Sequence, residues 1–401
     1  MTAIFGQLPR TYWFLIAGMF VNRLGAFVLP FLSPYLKEHE GLSVPQISAV
    51  LLCWGVGTIV AGLVGGQLAD RWGRKPTMLA SLLVGAVVLG CFAVGHGVVQ
   101  LAALAGVFGV VAELYRPAVA AAISDLVAPH QRARAFAHLT WAYNLGFAVS
   151  PLLAGWLIDH AGYEWLFVGD GTTMLLAALL IGARVPETRP APAGGATGSI
   201  SRAQRAVAVA FSDPRFVPLL VAALLLGSIM IQSLASLALV LRSDGIGTAS
   251  FGRIIAVNGM LIVVLQPFLV PRLEHMGRYR VLPWAAVVFG VGFACHALVA
   301  ASFGHVLVVC VWTCGEIALF PLCNAAVADL APEHLRGRYQ GAYWMAFASA
   351  NVIGPPIGLG LLESLGSVGW ASYVAAAGLL SALAFTVVGA RIRAGAVADA
   401  E

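Results

Sequence analysis

Charge is scarce in this 401-residue sequence: Asp, Glu, Lys and Arg together make up 10% of it, against about 25% in an ordinary soluble domain. That scarcity excludes a fold with a conventional water-facing surface. Paired cysteines are also missing. Cys53, Cys91, Cys295, Cys310, Cys314 and Cys323 fall singly in apolar stretches, which excludes a disulfide or zinc framework and leaves them as small hydrophobes. No phosphate-binding glycine loop, G-x-S-x-G elbow or clustered histidine spacing occurs, so neither enzyme chemistry nor a cofactor or metal is expected. The start, "MTAIFGQLPRTYWFLIAGMF", lacks the charged region, short apolar core and small-residue cleavage site of a removable leader, and the first helix is expected to stay. The pI near 9.0 does not point to nucleic acid, because the arginines are scattered through short loops.

What the sequence has is length of apolar run: 60% of residues are hydrophobic and the mean hydropathy is +0.89. Runs of about 20 residues, enough to cross a bilayer, lie at 12–36, 45–68, 76–95, 98–124, 136–158 and 164–184. A second set follows at 215–241, 249–271, 281–301, 304–328, 339–363 and 367–390. Lipid offers no hydrogen-bond partners, and alternation of period two is absent, so the spans are helices. The expected fold is an all-α membrane protein of twelve transmembrane helices in two pseudo-symmetric six-helix bundles, 1–184 and 215–401. They are joined by a Pro-, Gly- and Arg-containing linker, 185–214, with a short interfacial helix around Arg202 and Arg205.

Most of the 23 Lys and Arg fall in alternate loops, among them Arg71, Arg74, Lys75, Arg132, Arg134, Arg278, Arg280, Arg336 and Arg338. Only Lys37, Arg242 and Arg253 lie in the opposite loops. By the positive-inside rule both termini and the linker are cytoplasmic. The halves also repeat at a constant offset of 204. Asp70 aligns with Glu274, Gly73 with Gly277, Arg74 with Arg278, Pro117 with Pro321, Asp125 with Asp329 and Pro151 with Pro355. Parallel six-helix repeats are an architecture of transporters whose site lies between the repeats.

The loop "GGQLADRWGRKP", 65–76, resembles the signature loop of the major facilitator superfamily, and with "LEHMGRYR", 273–280, extends the resemblance over nearly the whole chain. By that resemblance Gly66, Asp70, Arg71, Gly73, Arg74 and Lys75 form a cytoplasmic gate, latched through Asp70 and Arg74. Read on its own physics, the loop has glycines for tight helix contact, Asp70 to cap or bind a neighbouring helix N-terminus, and a basic cytoplasmic face. "GFAVSPLLAG", 146–155, resembles the fifth-helix motif of bacterial twelve-helix proton-coupled drug antiporters. Gly146, Pro151 and Gly155 fit that motif, while Ser150 and Ala154 stand in for glycines. It implies a small-residue face against a helix of the opposite half, with a bend at Pro151. The second half has "NVIGPPIGLG" at the repeat position, so general packing is the other reading. The arginine such antiporters carry early in the fourth span is missing, and Ala105 stands there.

"VVAELYRPAVAA", 110–121, places Glu113 and Arg116 three residues apart, on one helix face. A charge at the bilayer centre costs about 2.5 to 3.5 kcal/mol, so such residues are candidates for function. Arg23 and Glu316 interrupt the first and tenth spans. In the resembled family the first, fourth, seventh and tenth helices line the central cavity, which would bring all four charges to it. Glu113 is expected to be the chief proton carrier, tuned by Arg116 and Arg23. Glu316 is either a second proton site or the group that attracts a cationic substrate. A structural ion pair is the bland reading of Glu113 and Arg116.

Asn22, Tyr115, Gln232, Asn258, Gln266, Asn324 and Trp344 are candidate substrate contacts, each also readable as a helix-packing polar residue. Asp170, near the outer end of the sixth span, reads as interfacial, and the nine histidines form no cluster, with His296 a hydrogen-bonded structural residue. The resemblance implies a monomeric proton-coupled exporter of small amphipathic molecules in a bacterial inner membrane, working with substrate, protons and lipid alone. A symporter or facilitator importing a sugar, peptide or organic acid is the alternative, and a non-transporting receptor a further one.

Overall fold

The computed structural model describes residues 8–189, 213–332 and 335–398, so the helix expected around Arg202 and Arg205 lies outside the described residues. All regular structure among them is helical. The elements are α1 (Arg10–Leu24), α2 (Val28–Pro34), α3 (Val44–Arg71), α4 (Arg74–Phe92), α5 (Val98–Leu126), α6 (Arg132–Ala161) and α7 (Glu164–Arg184). They are followed by α8 (Val217–Met230), α9 (Gln232–Ala235), α10 (Leu237–Ser243), α11 (Thr248–His275), α12 (Arg278–Ala294), α13 (Ser302–Leu330) and α14 (Arg336–Ala398). Among the described residues eleven segments are long and apolar enough to cross a membrane, and the last of these holds two of the expected spans. Within α14, Gly366 is non-helical at φ 67°, ψ −162°, between 339–363 and 367–390. A left-handed φ is open to glycine at little steric cost.

Contacts divide the chain into two compact units: residues 1–194 with 247–260, and 195–246 with 261–401. In the first unit α3 and α4 pack on α5, α4 and α1 on α7, and α1 on α6. In the second, α8 and α12 pack on α14, and α12 on α13. Small residues let backbones approach where lipid supplies no hydrophobic drive. Gly57 of α3 meets the backbone of Gly106 and Gly109 of α5, and Gly290 of α12 meets Gly378 of α14 so closely that a Cβ would stand 2.5 Å from its Cα. Large aromatic side chains fill the space around these crossings. Tyr12, Phe31, Phe92, Tyr115 and Phe167 are buried in the first unit, and Phe289, Phe293, Trp312, Tyr343 and Trp370 in the second. The repeat extends to helix starts: Gly73 at φ 118° precedes α4, and Gly277 at φ 86° precedes α12.

One expectation needs correction in each unit. The run 12–36 is not one helix but breaks between Leu24 and Val28, and 215–241 breaks at Ile231 and Ser236. Hydropathy is continuous across both places, so the breaks arise from tertiary contacts. A Cβ on Gly25 would overlap the Thr173 hydroxyl of α7. Ser236, at φ −130°, is tied by its hydroxyl to Gln232 Oε1 at 2.6 Å and accepts the Trp370 Nε1–H at 2.7 Å.

Candidate functional site

The first unit contains a recess lined by Asn22, Arg23, Ala26, Leu29, Phe108, Ala112, Glu113, Tyr115, Asp170 and Met174. Four helices, α1, α2, α5 and α7, and the break between the first two build it. From α5, Glu113 Oε2 accepts the Arg116 Nε–H at 2.7 Å, and the Arg116 side chain is 44% exposed against 25% for Glu113. The buried Tyr115 hydroxyl hydrogen-bonds with both Arg116 and Tyr143 of α6. Arg23 of α1 lies over the Tyr143 ring, 5.0 Å from its centroid, a cation–π contact. Gly146 of α6 makes room for Arg23, since a Cβ there would stand 2.6 Å from the arginine's own.

Asp170 completes the recess from α7. It is 4% exposed, and its carboxylate faces the backbone N–H groups of Val28 and Phe27 at the break in the first span, the Phe27 N–H also donating to the Gly25 carbonyl. The interfacial position expected for Asp170 is therefore corrected: the break folds the chain over it. Asn22 is 5% exposed, and its Oδ1 accepts no hydrogen bond. Sequence reasoning singled out neither Asp170 nor Tyr143 for the recess. The available signal was Gly25 in the first span, which faces Thr173 of the sixth, a contact that spacing alone does not reveal.

At the end of this unit that carries the 65–76 loop, Arg74 Nη1 pairs with Asp70 at 3.0 Å and donates to the Ala69 carbonyl at 2.9 Å, while its Nε pairs with Asp125 at 3.2 Å. Asp70 is thus an ion-pair partner and not the cap of a neighbouring helix. That cap is Glu187, read from sequence as mere linker. Its carboxylate accepts the backbone N–H groups of Arg74 and Lys75 at 2.9 and 3.1 Å, where the α4 dipole is positive. A Cβ on Gly73 would overlap this carboxylate. Partial burial pushes the Glu187 carboxyl up, and backbone N–H groups of Arg189, Arg74, Lys75 and Thr188 outweigh it, holding it below its ordinary 4.5. Lys75 Nζ donates to the Gly182 carbonyl at 2.7 Å, and the Arg71 carbonyl accepts from Arg189 at 2.6 Å. The expected tight glycine is Gly65, against Pro117, and not Gly66, which has open space at its Cβ position.

The 146–155 face of α6 meets the start of α11 within the same unit. A Cβ on Gly155 would stand 2.8 Å from Ala249 Cα, and one on Gly252 would overlap the Pro151 carbonyl. A Cβ on Gly259 would stand 2.5 Å from Ala148 Cα. Asn258, on this stretch, is 2% exposed.

In the second unit, Glu316 of α13 is 4% exposed. Arg278 and Asp329 pair at 3.0 Å, the same pairing at the same offset as Arg74 and Asp125. Gln232 is corrected as a substrate contact: it is fully buried, its Nε2 donates to the carbonyls of Ser228 and Gly354 at 3.1 and 3.0 Å, and its Oε1 is taken by Ser236. Asn324 is likewise engaged, donating to the Phe320 carbonyl at 2.9 Å and accepting from Gln340 at 2.6 Å. Trp344 is 44% exposed, beside Phe347 at 5.7 Å, and Gln266 is half-buried on α11.

Two histidines do come together, against the sequence expectation. His296 and His305, both fully buried, face each other through their Nδ1 atoms at 2.8 Å. Trp312 Nε1–H donates to His296 Nε2 at 3.3 Å, and His305 Nε2 lies 3.3 Å from an Asp244 carboxylate oxygen. Indole is a donor only, so His296 carries its proton on Nδ1 and donates to His305, whose own proton then sits on Nε2 toward Asp244.

The sequence profile of the Major Facilitator Superfamily matches residues 15–355 and 229–398. A Na(+), Li(+), K(+)/H(+) antiporter of Planococcus maritimus is 23% identical over 85% of this chain and 87% of its own. Multidrug resistance protein MdtH of Klebsiella pneumoniae is 26% identical over 89% and 88%, and Multidrug resistance protein 1 of Bacillus subtilis 24% identical over 94% and 95%. Among solved structures, the nucleoside transporter NupG superposes with a TM-score of 0.78 at 18% identity, covering 94% of this chain and all of its own. A POT family transporter with a bound thioalcohol conjugated peptide gives 0.77 at 16% identity, covering 97% and 98%. At those identities the structural likeness speaks for the fold.

Proposed function

The chain belongs to the Major Facilitator Superfamily, and from that premise we propose that it drives the export of small amphipathic compounds with inward movement of protons. It is a multi-pass membrane secondary transporter and not an enzyme. The observation that carries the finer reading is the recess of the first unit, where two carboxylates, Glu113 and Asp170, share one small volume with Arg23. Buried ionisable groups inside a membrane protein mark ion and substrate paths. Relatives named as a cation/proton antiporter and as multidrug resistance proteins support the same direction.

In this cycle the Glu113–Arg116 pair is what the compound competes for. An ion pair at 2.7 Å, half open to the surroundings, exchanges a partner readily when a ligand brings a charge or donor of its own. The unpartnered Asn22 Oδ1 offers an acceptor to a ligand N–H or O–H, and Tyr115 and Phe108 supply aromatic faces. Asn258, Gln266, Trp344 and Glu316 contribute as the site passes from one side of the membrane to the other, Glu316 as the group attracting cationic compounds. Asp70, Arg71, Gly73, Arg74 and Lys75 gate the cytoplasmic side, and Gly146, Pro151 and Gly155 give the sliding face of α6. The membrane is the bacterial inner membrane, with both termini in the cytoplasm and a monomer as the working unit.

The test is proton movement in proteoliposomes on adding lipophilic cations, neutral drugs and peptides in turn. A compound that evokes proton flux opposite to its own establishes antiport. Flux of both in the same direction replaces this reading with proton-coupled import.

A further inference from the structure

We propose that Asp170 is the residue that takes up the coupling proton, and that protonation releases the break in the first span; this rests on the antiport reading above. The break exposes backbone donors that helix geometry would otherwise satisfy, and in a membrane such donors need an internal partner. Ionised Asp170, 4% exposed, is that partner for the Val28 N–H, and it shares the Phe27 N–H with the Gly25 carbonyl. A carboxylate has lone pairs enough for both. Once protonated, it holds the same donors less strongly and acquires an O–H that must itself be accepted.

The recess contains an acceptor for that O–H. Asn22 Oδ1 is buried, has no hydrogen-bond partner and belongs to the last turns of α1, directly before the break. Both charge states of Asp170 therefore have a place: the ionised form on the Phe27 and Val28 amides, the protonated form turned to Asn22. Moving between them changes what holds α1 to α2.

The other titratable or charged groups facing Asp170 are Arg23 from α1, Glu113 and Tyr115 from α5, and Tyr143 from α6 behind Arg23. Arg23 favours the ionised carboxylate, and it leans on the Tyr143 ring. Glu113 is already neutralised by Arg116 at 2.7 Å. A proton entering the recess thus meets one carboxylate paired with a guanidinium at 2.7 Å and another held by backbone donors, with Arg23 also lining the recess. The second gives up less by accepting it. The step is a bare proton transfer, taken from water on one side of the membrane and returned to water on the other.

The repeat supplies an independent argument. At the offset of 204, Asp170 corresponds to Val374, which is fully buried, and the matching break is held by the neutral Gln232, Ser236 and Trp370. This architecture can hold its broken helix without an ionisable group. Asp170 is thus not demanded by the break itself.

The experiment compares wild type, Asp170→Asn and Glu113→Gln in proteoliposomes, reading substrate exchange across the membrane and compound-evoked proton flux separately. For Asp170→Asn, substrate exchange is expected to lose its pH dependence. Proton flux should fall by about a hundredfold, the scale of loss when a positioned proton-transfer group is removed. Glu113→Gln is expected to raise the substrate KM while keeping the number of protons per substrate. Unchanged proton flux in Asp170→Asn, or loss of coupling confined to Glu113→Gln, overturns the proposal. Absence of proton flux in wild type instead defeats the antiport reading and this inference with it. Should Asp170→Asn not fold, Asp170→Glu decides: the longer side chain is expected to move the pH midpoint of coupled flux by about one unit, a tenfold change in proton affinity, and an unmoved midpoint overturns the assignment.

Discussion

Both units interrupt their first span, and they mend the interruption with different chemistry. In the first, the sixth span sends a carboxylate, Asp170, to the backbone amides of Val28 and Phe27, the latter shared with the Gly25 carbonyl. In the second, the equivalent helix sends Trp370 to Ser236, which with Gln232 forms a closed neutral network reaching the Gly354 carbonyl. A neutral network has one arrangement in which every donor meets an acceptor, and it specifies that arrangement rigidly. A carboxylate has two charge states and so two arrangements. The same architectural defect is thus a fixed joint in one unit and an adjustable one in the other.

The sharpest way to break this comparison is Gln232→Leu. It strips partners from Ser236 and from two carbonyls in a buried setting, and is expected to cost about 3 kcal/mol, with unsatisfied buried groups at about 1–3 kcal/mol each. Asp170→Asn, which keeps an oxygen acceptor, is expected to cost under about 1 kcal/mol. Thermal unfolding in detergent measures both, and equal losses would erase the distinction.

A smaller contrast concerns the ion pairs that the repeat shares. Arg74 is 11% exposed and has three acceptors, whereas the Arg278 side chain is 29% exposed beside Asp329. Asp125→Asn is expected to lower stability by up to about 1 kcal/mol and Asp329→Asn by less, as partly exposed pairs do. Double-mutant cycles with Arg74→Ala and Arg278→Ala would order them.

The smallest expected effect is a pH signature at the α4 cap. Glu187 has its carboxyl held below 4.5, so its stabilising contribution is present above the unfolded value and is lost as pH falls through the folded one. Glu187→Gln should therefore lower the unfolding temperature at neutral pH, with the difference from wild type fading as the pH falls below 4.5 and through the lowered folded value. A constant difference down to pH 3 would mean that the carboxylate charge is not what caps the helix.

The helical spans and their repeat were legible because apolar length and recurring loop residues are local properties of sequence. The family could be read from the 65–76 loop for the same reason. Glu113 and Arg116, three residues apart on α5, were legible as a pair and form one. What escaped was set by tertiary contact. Gly25 and Ser236 interrupt helices without interrupting hydropathy, so 12–36 and 215–241 read as continuous. Asp170 read as interfacial because its depth depends on the chain folding over it at Ala26 and Phe27. Gln232 was readable both as a substrate contact and as a packing residue, because its acceptor, Gly354, lies on another helix. His296 and His305, nine residues apart across a turn, carry no spacing signal for their contact.

That histidine contact has an evolutionary consequence. The Trp312–His296–His305 series runs in one direction only, because the indole has no lone pair to offer in return. Replacing one imidazole alone strands a donor or an acceptor in a dry interior. Among descendants of this chain, positions 296 and 305 are therefore expected to change together or not at all, leaving a covarying pair of columns in an alignment of its relatives.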